Sequence, residues 1–195
     1  AYRYHDRGGK PIDGKKISDF YHFLPWSVKG GFNYKFTENH NAFFNAGYFT
    51  RAPFFNSVFP NNTIEANADA PYEKIMTFEL GYGFSTENFN LALNGYYTRW
   101  NDKSLRRQIT AGESANITGL DAVHMGVELE ATYKPVQNLE LKGMFSYGDW
   151  RWADDVSFTL YDDMDKPIGT YNAYVKDVHV GNSAPVSYTH LRAHE

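Results

Sequence analysis

No cysteine occurs among the 195 residues, which excludes disulfides, thiolate nucleophiles and cysteine-based zinc sites while leaving the compartment open. A basic surplus is missing too. The formal net charge is -4, whereas proteins that grip nucleic acid by its phosphates carry a clear excess of Lys and Arg, so nucleic acid is not an expected partner. No apolar run reaches the roughly 18 residues of a membrane helix, although a transmembrane β-barrel would escape that test because it alternates apolar and polar residues. The first ten residues, AYRYHDRGGK, lack the charged and apolar regions of a signal peptide; either the chain is not exported or its true start lies upstream. No GxSxG, P-loop or GxGxxG pattern is present, and nothing else in the chain forms a catalytic constellation, so no enzyme activity and no cofactor are expected.

Aromatics are what the sequence has in excess: 15 Tyr, 15 Phe and 4 Trp, residues that favour strands. They sit in a repeated phrase. TENHNAFFNAGYFTR at residues 37–51 returns as TENFNLALNGYYTR at residues 86–99, and VQNLELKGMFSYG from Val136 repeats the pattern with other letters. Taken every second residue, the second copy gives Phe89, Leu91, Leu93, Gly95 and Tyr97 on one side and Asn90, Ala92, Asn94, Tyr96 and Thr98 on the other. Such alternation is a strand with one apolar face. Each copy follows another alternating run, beginning at Val28, Met76 and Met125, so the unit is a hairpin. Six runs of five apolar-side positions contain no Asp, Glu, Lys or Arg, whereas the opposite side holds Lys29, Lys35, Glu79, Glu128, Glu130, Glu140 and Lys142.

Connections alternate as well. Short turns at residues 37–40, 85–88 and 135–138 contrast with long segments at 51–72 and 101–121, read as surface loops and expected to carry function. Nine residues separate each turn Asn (Asn39, Asn88, Asn138) from a Tyr (Tyr48, Tyr97, Tyr147). At about 3.3 Å each and a tilt near 45°, they span roughly 21 Å, close to the ~25 Å apolar band of an outer-membrane barrel. Phe36, Phe84, Phe89 and Tyr133 then mark the short-turn edge, and Tyr48, Tyr97 and Tyr147 the long-loop edge, where amphipathic rings belong at the two membrane interfaces. The expected fold is all-β: an antiparallel transmembrane barrel segment of about six to eight strands. Alternation also fits a soluble or surface β-sandwich for binding or adhesion, and a small outer-membrane barrel enzyme is a further alternative.

KGGFNYKFTENHNAFFNAGYFTRAPFF at residues 29–55 and EKIMTFELGYGFSTENFNLALNGYYTRWNDKSL at residues 73–105 resemble the C-terminal barrel of TonB-dependent outer-membrane receptors of the Bacteroidetes type, from about residue 20 to 184. The resemblance implies a barrel of about 22 strands, plugged by an N-terminal domain and driven by TonB, importing a scarce iron chelate, vitamin or glycan through the outer membrane. Closure needs at least eight strands, so residues 1–184 are expected to be part of such a barrel whose plug and TonB box lie elsewhere. The remaining residues, 185–195, resemble translated read-through of a sequencing adapter and are expected to be non-native.

Candidate ligand-facing residues flank the long segments: Arg51, Phe54, Phe55 and Phe59 beyond Tyr48, and Arg99, Trp100, Arg106 and Arg107 beyond Tyr97. Trp26, Trp100, Trp150 and Trp152 lie towards the same end, as membrane anchors or stacking platforms. Asp162, Asp163 and Asp165 form an acidic turn that could offer oxygen ligands to calcium, without the spacing of an EF-hand. Glu128 and Glu130 share one strand face, where pairing with Lys or Arg on adjacent strands is expected rather than acid and base chemistry. No metal site is expected.

Overall fold

Runs that alternate over nine or more residues between turn-forming Asn, Thr and Glu have one way to satisfy both faces, which is to pair as long antiparallel strands. The computed structural model describes residues 1–6, 14–59, 64–67, 70–162 and 166–181, with the backbone of 187–193. Its strands are β1 (Ser27–Lys35), β2 (His40–Arg51), β3 (Glu73–Ser85), β4 (Phe89–Thr110), β5 (Glu113–Val136), β6 (Leu139–Trp152), β7 (Val156–Tyr161), β8 (Pro167–Ala173) and β9 (Ser187–Ala193), with one helical turn, α1 (Phe55–Val58), between β2 and β3. They form one sheet in the order β1-β2-β3-β4-β5-β6-β9, with β7 and β8 branching from β5. The sheet is open and holds nine strands among the described residues, six long and three short, against the six to eight expected.

Register decides the faces, because residues directly opposite one another point the same way. One row runs Phe32, Phe44, Leu80, Gly95, Val127 and Tyr147, and the next runs Tyr34, Ala42, Tyr82, Leu93, Leu129 and Phe145. Every apolar-side position of the six runs therefore falls on one face. Phe32, Tyr34, Leu80, Leu93, Val127, Phe145 and Tyr147 are all exposed there, and no second sheet covers them among the described residues, as a sandwich would require.

Glycines distinguish the two faces. On the polar face a Cβ at Gly81 would overlap the Phe43 ring, and one at Gly126 would come within 2.6 Å of the Tyr96 hydroxyl; on the apolar face Gly30 and Gly143 have open space. Side chains thus fold over glycines of the polar face and leave those of the apolar face bare, as on the inner and outer walls of a barrel, and the polar face is assigned as the inner one. Glu128 and Glu130 lie there opposite Asn94 and Ser146, and Ala92 and Met144, so the expected Lys or Arg partners do not stand across from them.

Shear supplies the tilt. Tyr48 stands in the row of Val28 and Met76, Tyr97 one row nearer the short turns, and Tyr147 one row nearer again. Two residues, about 6.6 Å, per two strand spacings, about 9.6 Å, is a slope of roughly 35°, at the lower edge of the 35–45° of membrane barrels. The diagonal of Tyr residues is level once the strands lean.

One expectation needs correction. Residues 101–121 are not a loop: β4 and β5 continue through them as a twisted hairpin that turns at Ala111 and Gly112. Cross-strand pairing continues there, with Leu105 opposite Ile117 and Arg107 opposite Ala115, and β7 adds to the same extension at residues 114–117 of β5. Between β2 and β3 the described residues hold one regular element, α1. The core of this connection is Val58, Phe59 and Ala70, packed against Tyr2, Tyr4, Tyr21 and Phe23 of the N-terminal segment.

Candidate functional site

Above the Tyr48 row, β2 and β3 close with Arg51 directly opposite Glu73. Both belong to the inner face, and so does Trp100, opposite Ile75 on β4. Glu73 is fully buried. Its carboxylate meets the Arg51 guanidinium at 2.8 Å and accepts hydrogen bonds from Trp100 Nε1 at 3.0 Å and the Ser104 backbone N–H at 3.2 Å. A buried carboxylate must be paired and hydrogen-bonded to be tolerated, and here the partners come from β2 and β4, so Glu73 ties three strands together at their outer ends.

A bulge completes the cluster. Between Trp100 and Lys103 the register slips by one residue, and Asp102 takes the left-handed conformation at φ 58°, which Asp tolerates better than most residues. Without that extra residue Lys103 would point outward. With it, Lys103 Nζ lies 4.4 Å from the centre of the Trp100 ring and 5.8 Å from that of Trp152. Arg51 Cζ lies 4.4 Å from the Phe54 ring and 5.5 Å from Trp100. Rings hold cations at such distances by their quadrupole. Below the bulge, Lys74 donates to Asp102 at 2.8 Å, and this hydrogen bond with the nearby charge raises the Lys74 pKa.

Between α1 and β4 lies a cavity of about 540 Å³, with Phe54, Phe55 and Ser57 on one side and Trp100, Lys103 and Ser104 on the other. The Arg51 Nε and Ser104 Oγ atoms are buried without a hydrogen-bond partner.

Of the expected ligand-facing residues, Arg51, Phe54, Phe55, Trp100 and Arg106 line this cavity. Phe55 also packs against Tyr2 and Tyr4, and Arg106 donates to Ser114 Oγ at 3.1 Å. Phe59 is the correction: it is fully buried in the loop core, edge-on to Tyr21, because a connection of this length needs apolar side chains to hold its own shape. Arg99, adjacent to Trp100 in a regular strand, points to the opposite face, with Asp121 at 3.8 Å. Arg107 is exposed on the hairpin extension. Glu73, Lys103 and Ser104 were not expected. An Arg–Glu pair across a hairpin end was available as a signal for Glu73; nothing marks Lys103, whose direction depends on the bulge.

The aromatic edges also take their places. Tyr34 meets Phe36 at 5.1 Å, His40 meets Phe84 at 4.6 Å, Phe84 meets Phe89 at 6.1 Å and Phe89 meets Tyr133 at 6.3 Å, a run of rings along the short-turn edge. At the other edge Trp26 packs on Tyr48 at 5.2 Å. The tryptophans divide: Trp26 joins the rim, whereas Trp150 sits on the inner face and donates to Tyr96 Oη at 3.0 Å. Asp162 accepts from the Lys166 backbone at 2.7 Å; Asp163 and Asp165 lie outside the described residues. Among the described residues no group of three or more His, Cys, Asp or Glu is placed to hold a metal ion.

A family model described as "TonB dependent receptor-like, beta-barrel" matches residues 2–192. Among solved structures, one titled "Copper transporter OprC" is similar with a TM-score of 0.51 and 17% identity over 70% of this chain; that likeness is one of fold. The chain spans 25% of that structure's length. No curated protein matches.

Proposed function

The chain belongs to the TonB-dependent receptor β-barrel family, whose members are outer-membrane transporters rather than enzymes, and from that premise we propose that it is part of the wall of a receptor importing a scarce ligand. An iron chelate, a vitamin or a glycan fits such a role. The observation that carries the proposal is the division of labour across one sheet: an apolar face for lipid whose repeat positions carry no charge, with Arg99, Asp149 and Arg151 confined to its long-loop end, and an inner face that ends in cations, rings and a cavity where the strands leave the membrane. A plug domain and TonB would be the partners, supplied by other parts of the complete protein and by the cell. Bacteroidetes-type origin is supported by the FTRAPFF and ELGYG segments at residues 49–55 and 79–83. The copper in OprC's title does not carry over at 17% identity.

Loss of the complete gene should abolish high-affinity uptake of one compound from a panel of labelled iron chelates, cobalamins and oligosaccharides, and loss of TonB should do the same. Uptake that ignored both losses, or a gene product absent from the outer-membrane fraction, would refute the proposal.

A further inference from the structure

We propose that the cavity between α1 and β4 is a subsite for an anionic oxygen group, a carboxylate, sulfate or phosphate, borne by the ligand. It rests on the receptor function above and names the chemistry that its mouth selects. Charge comes first. Arg51 and Glu73 neutralise each other at 2.8 Å, while Lys103 makes no ion pair among the described residues and is held by the rings of Trp100 and Trp152. Within the Arg51–Glu73–Lys103 cluster the charge of Lys103 is therefore left over, and Arg106 is a further cation in the cavity lining.

Hydrogen bonding points the same way. Arg51 Nε is a donor without an acceptor, Ser104 Oγ is a hydroxyl without a partner, and Lys103 Nζ brings further donors. The carboxylate of Glu73 is already occupied by Arg51, Trp100 and the Ser104 N–H. A cationic ligand would meet Lys103 with no free carboxylate to offset it. A neutral sugar needs donors and acceptors together. An anionic oxygen acceptor meets the Lys103 ammonium and its positive charge, in a lining that also holds the buried, unpaired Arg51 Nε and Ser104 Oγ, and charge-assisted bonds are the stronger kind.

The subsite also has two walls of different origin. α1 sits on a connection whose own aromatic core fixes it, and Lys103 reaches the cavity because of the bulge at Asp102. An anion there would bridge the β2–β3 connection to the β4–β5 hairpin.

The complete receptor, purified in detergent with fluorotryptophan in place of tryptophan, allows the test by fluorine NMR. The Trp100 signal is assigned by its loss in Trp100→Phe. Citrate and sulfate, the probes, should shift that signal saturably; glucose and choline should not. Lys103→Gln should weaken the citrate response about tenfold, equivalent to about 1.4 kcal/mol, Lys103→Arg should retain it, and added salt should reduce it. Heat-modifiable gel migration checks that each variant folds. No saturable shift with either anion, an unchanged midpoint in Lys103→Gln, or an equal response to glucose would overturn the subsite. TonB-dependent uptake that persisted alongside any of those results would leave the receptor function standing, so the two failures are separable.

Discussion

Leu93 and Asn94 are neighbours in sequence and opposites in environment. Leu93 lies on the apolar face between Tyr82 and Leu129, and Asn94 on the inner face between Gly81 and Glu128. In the complete barrel Leu93→Arg should destabilise by about 2–4 kcal/mol, since an Arg at the lipid face near mid-membrane costs that much, whereas Asn94→Arg should be mild because it gains Glu128. Equal losses in urea unfolding from vesicles would reverse or erase the faces. Both assignments were legible in the alternation alone. Glu73 was not, because burial of a carboxylate at a strand end depends on which residues β2 and β4 bring beside it. Glu73→Ala removes the acceptor of Arg51, Trp100 and Ser104 at once, and leaving a partner unpaired in such a pair costs about 3–5 kcal/mol when fully buried. Arg51 is partly exposed, so the loss falls to about 1–3 kcal/mol, the cost of the donors left unsatisfied, local to the rim: protease cleavage within residues 52–72 should rise while barrel assembly holds. Unchanged cleavage would deny Glu73 its tying role.

At the scale of elements, the hairpins and their short turns follow directly from the repeat, and the β4–β5 extension shows where pattern reading fails. Residues 101–121 are rich in Asn, Gly, Ser and Thr, the composition of a loop, yet the pairing of Leu105 with Ile117 and the addition of β7 make them strand. Tertiary pairing outweighs local propensity in such segments, and three register slips hide the alternation. Removing the tip, residues 106–114, should therefore impair ligand uptake while assembly judged by gel migration continues; uptake unaffected by that deletion would remove the extension from recognition. At the opposite end, Glu140 is held by Lys142 at 2.7 Å and Lys134 at 2.9 Å. The hydrogen bonds from Lys142 and Lys134 lower its pKa to about 2. A depressed carboxylate stabilises above its unfolded value and loses that contribution as pH falls through the folded one. Amide exchange at the β5–β6 turn, corrected for intrinsic rates, should thus accelerate between about pH 4.5 and 2 and do so less in Glu140→Gln. A pH-independent turn would show that the two lysines contribute nothing there.

For the whole molecule, the family's outer-membrane location and the sheet's own shear agree: strands leaning roughly 35° bring Tyr48, Tyr97 and Tyr147 level. The sheet remains open at β1, and an unpaired strand edge beside a broad exposed apolar face is an aggregation hazard. Residues 1–195 expressed alone should require detergent, and a monodisperse monomer in plain buffer would favour a soluble fold. What no pattern in the sequence could give is the rim geometry, since the cavity depends on a bulge and on a loop core assembled from residues as distant as Tyr4 and Phe59. Which face meets lipid can be probed one position at a time, because residues 1–195 contain no cysteine. Single cysteines placed from Leu91 to Thr98 in the complete receptor, spin-labelled and reconstituted in vesicles, should show oxygen accessibility high at 91, 93, 95 and 97 and water-soluble nickel accessibility high at the positions between. A uniform profile, or the opposite phase, would contradict the lipid-facing assignment.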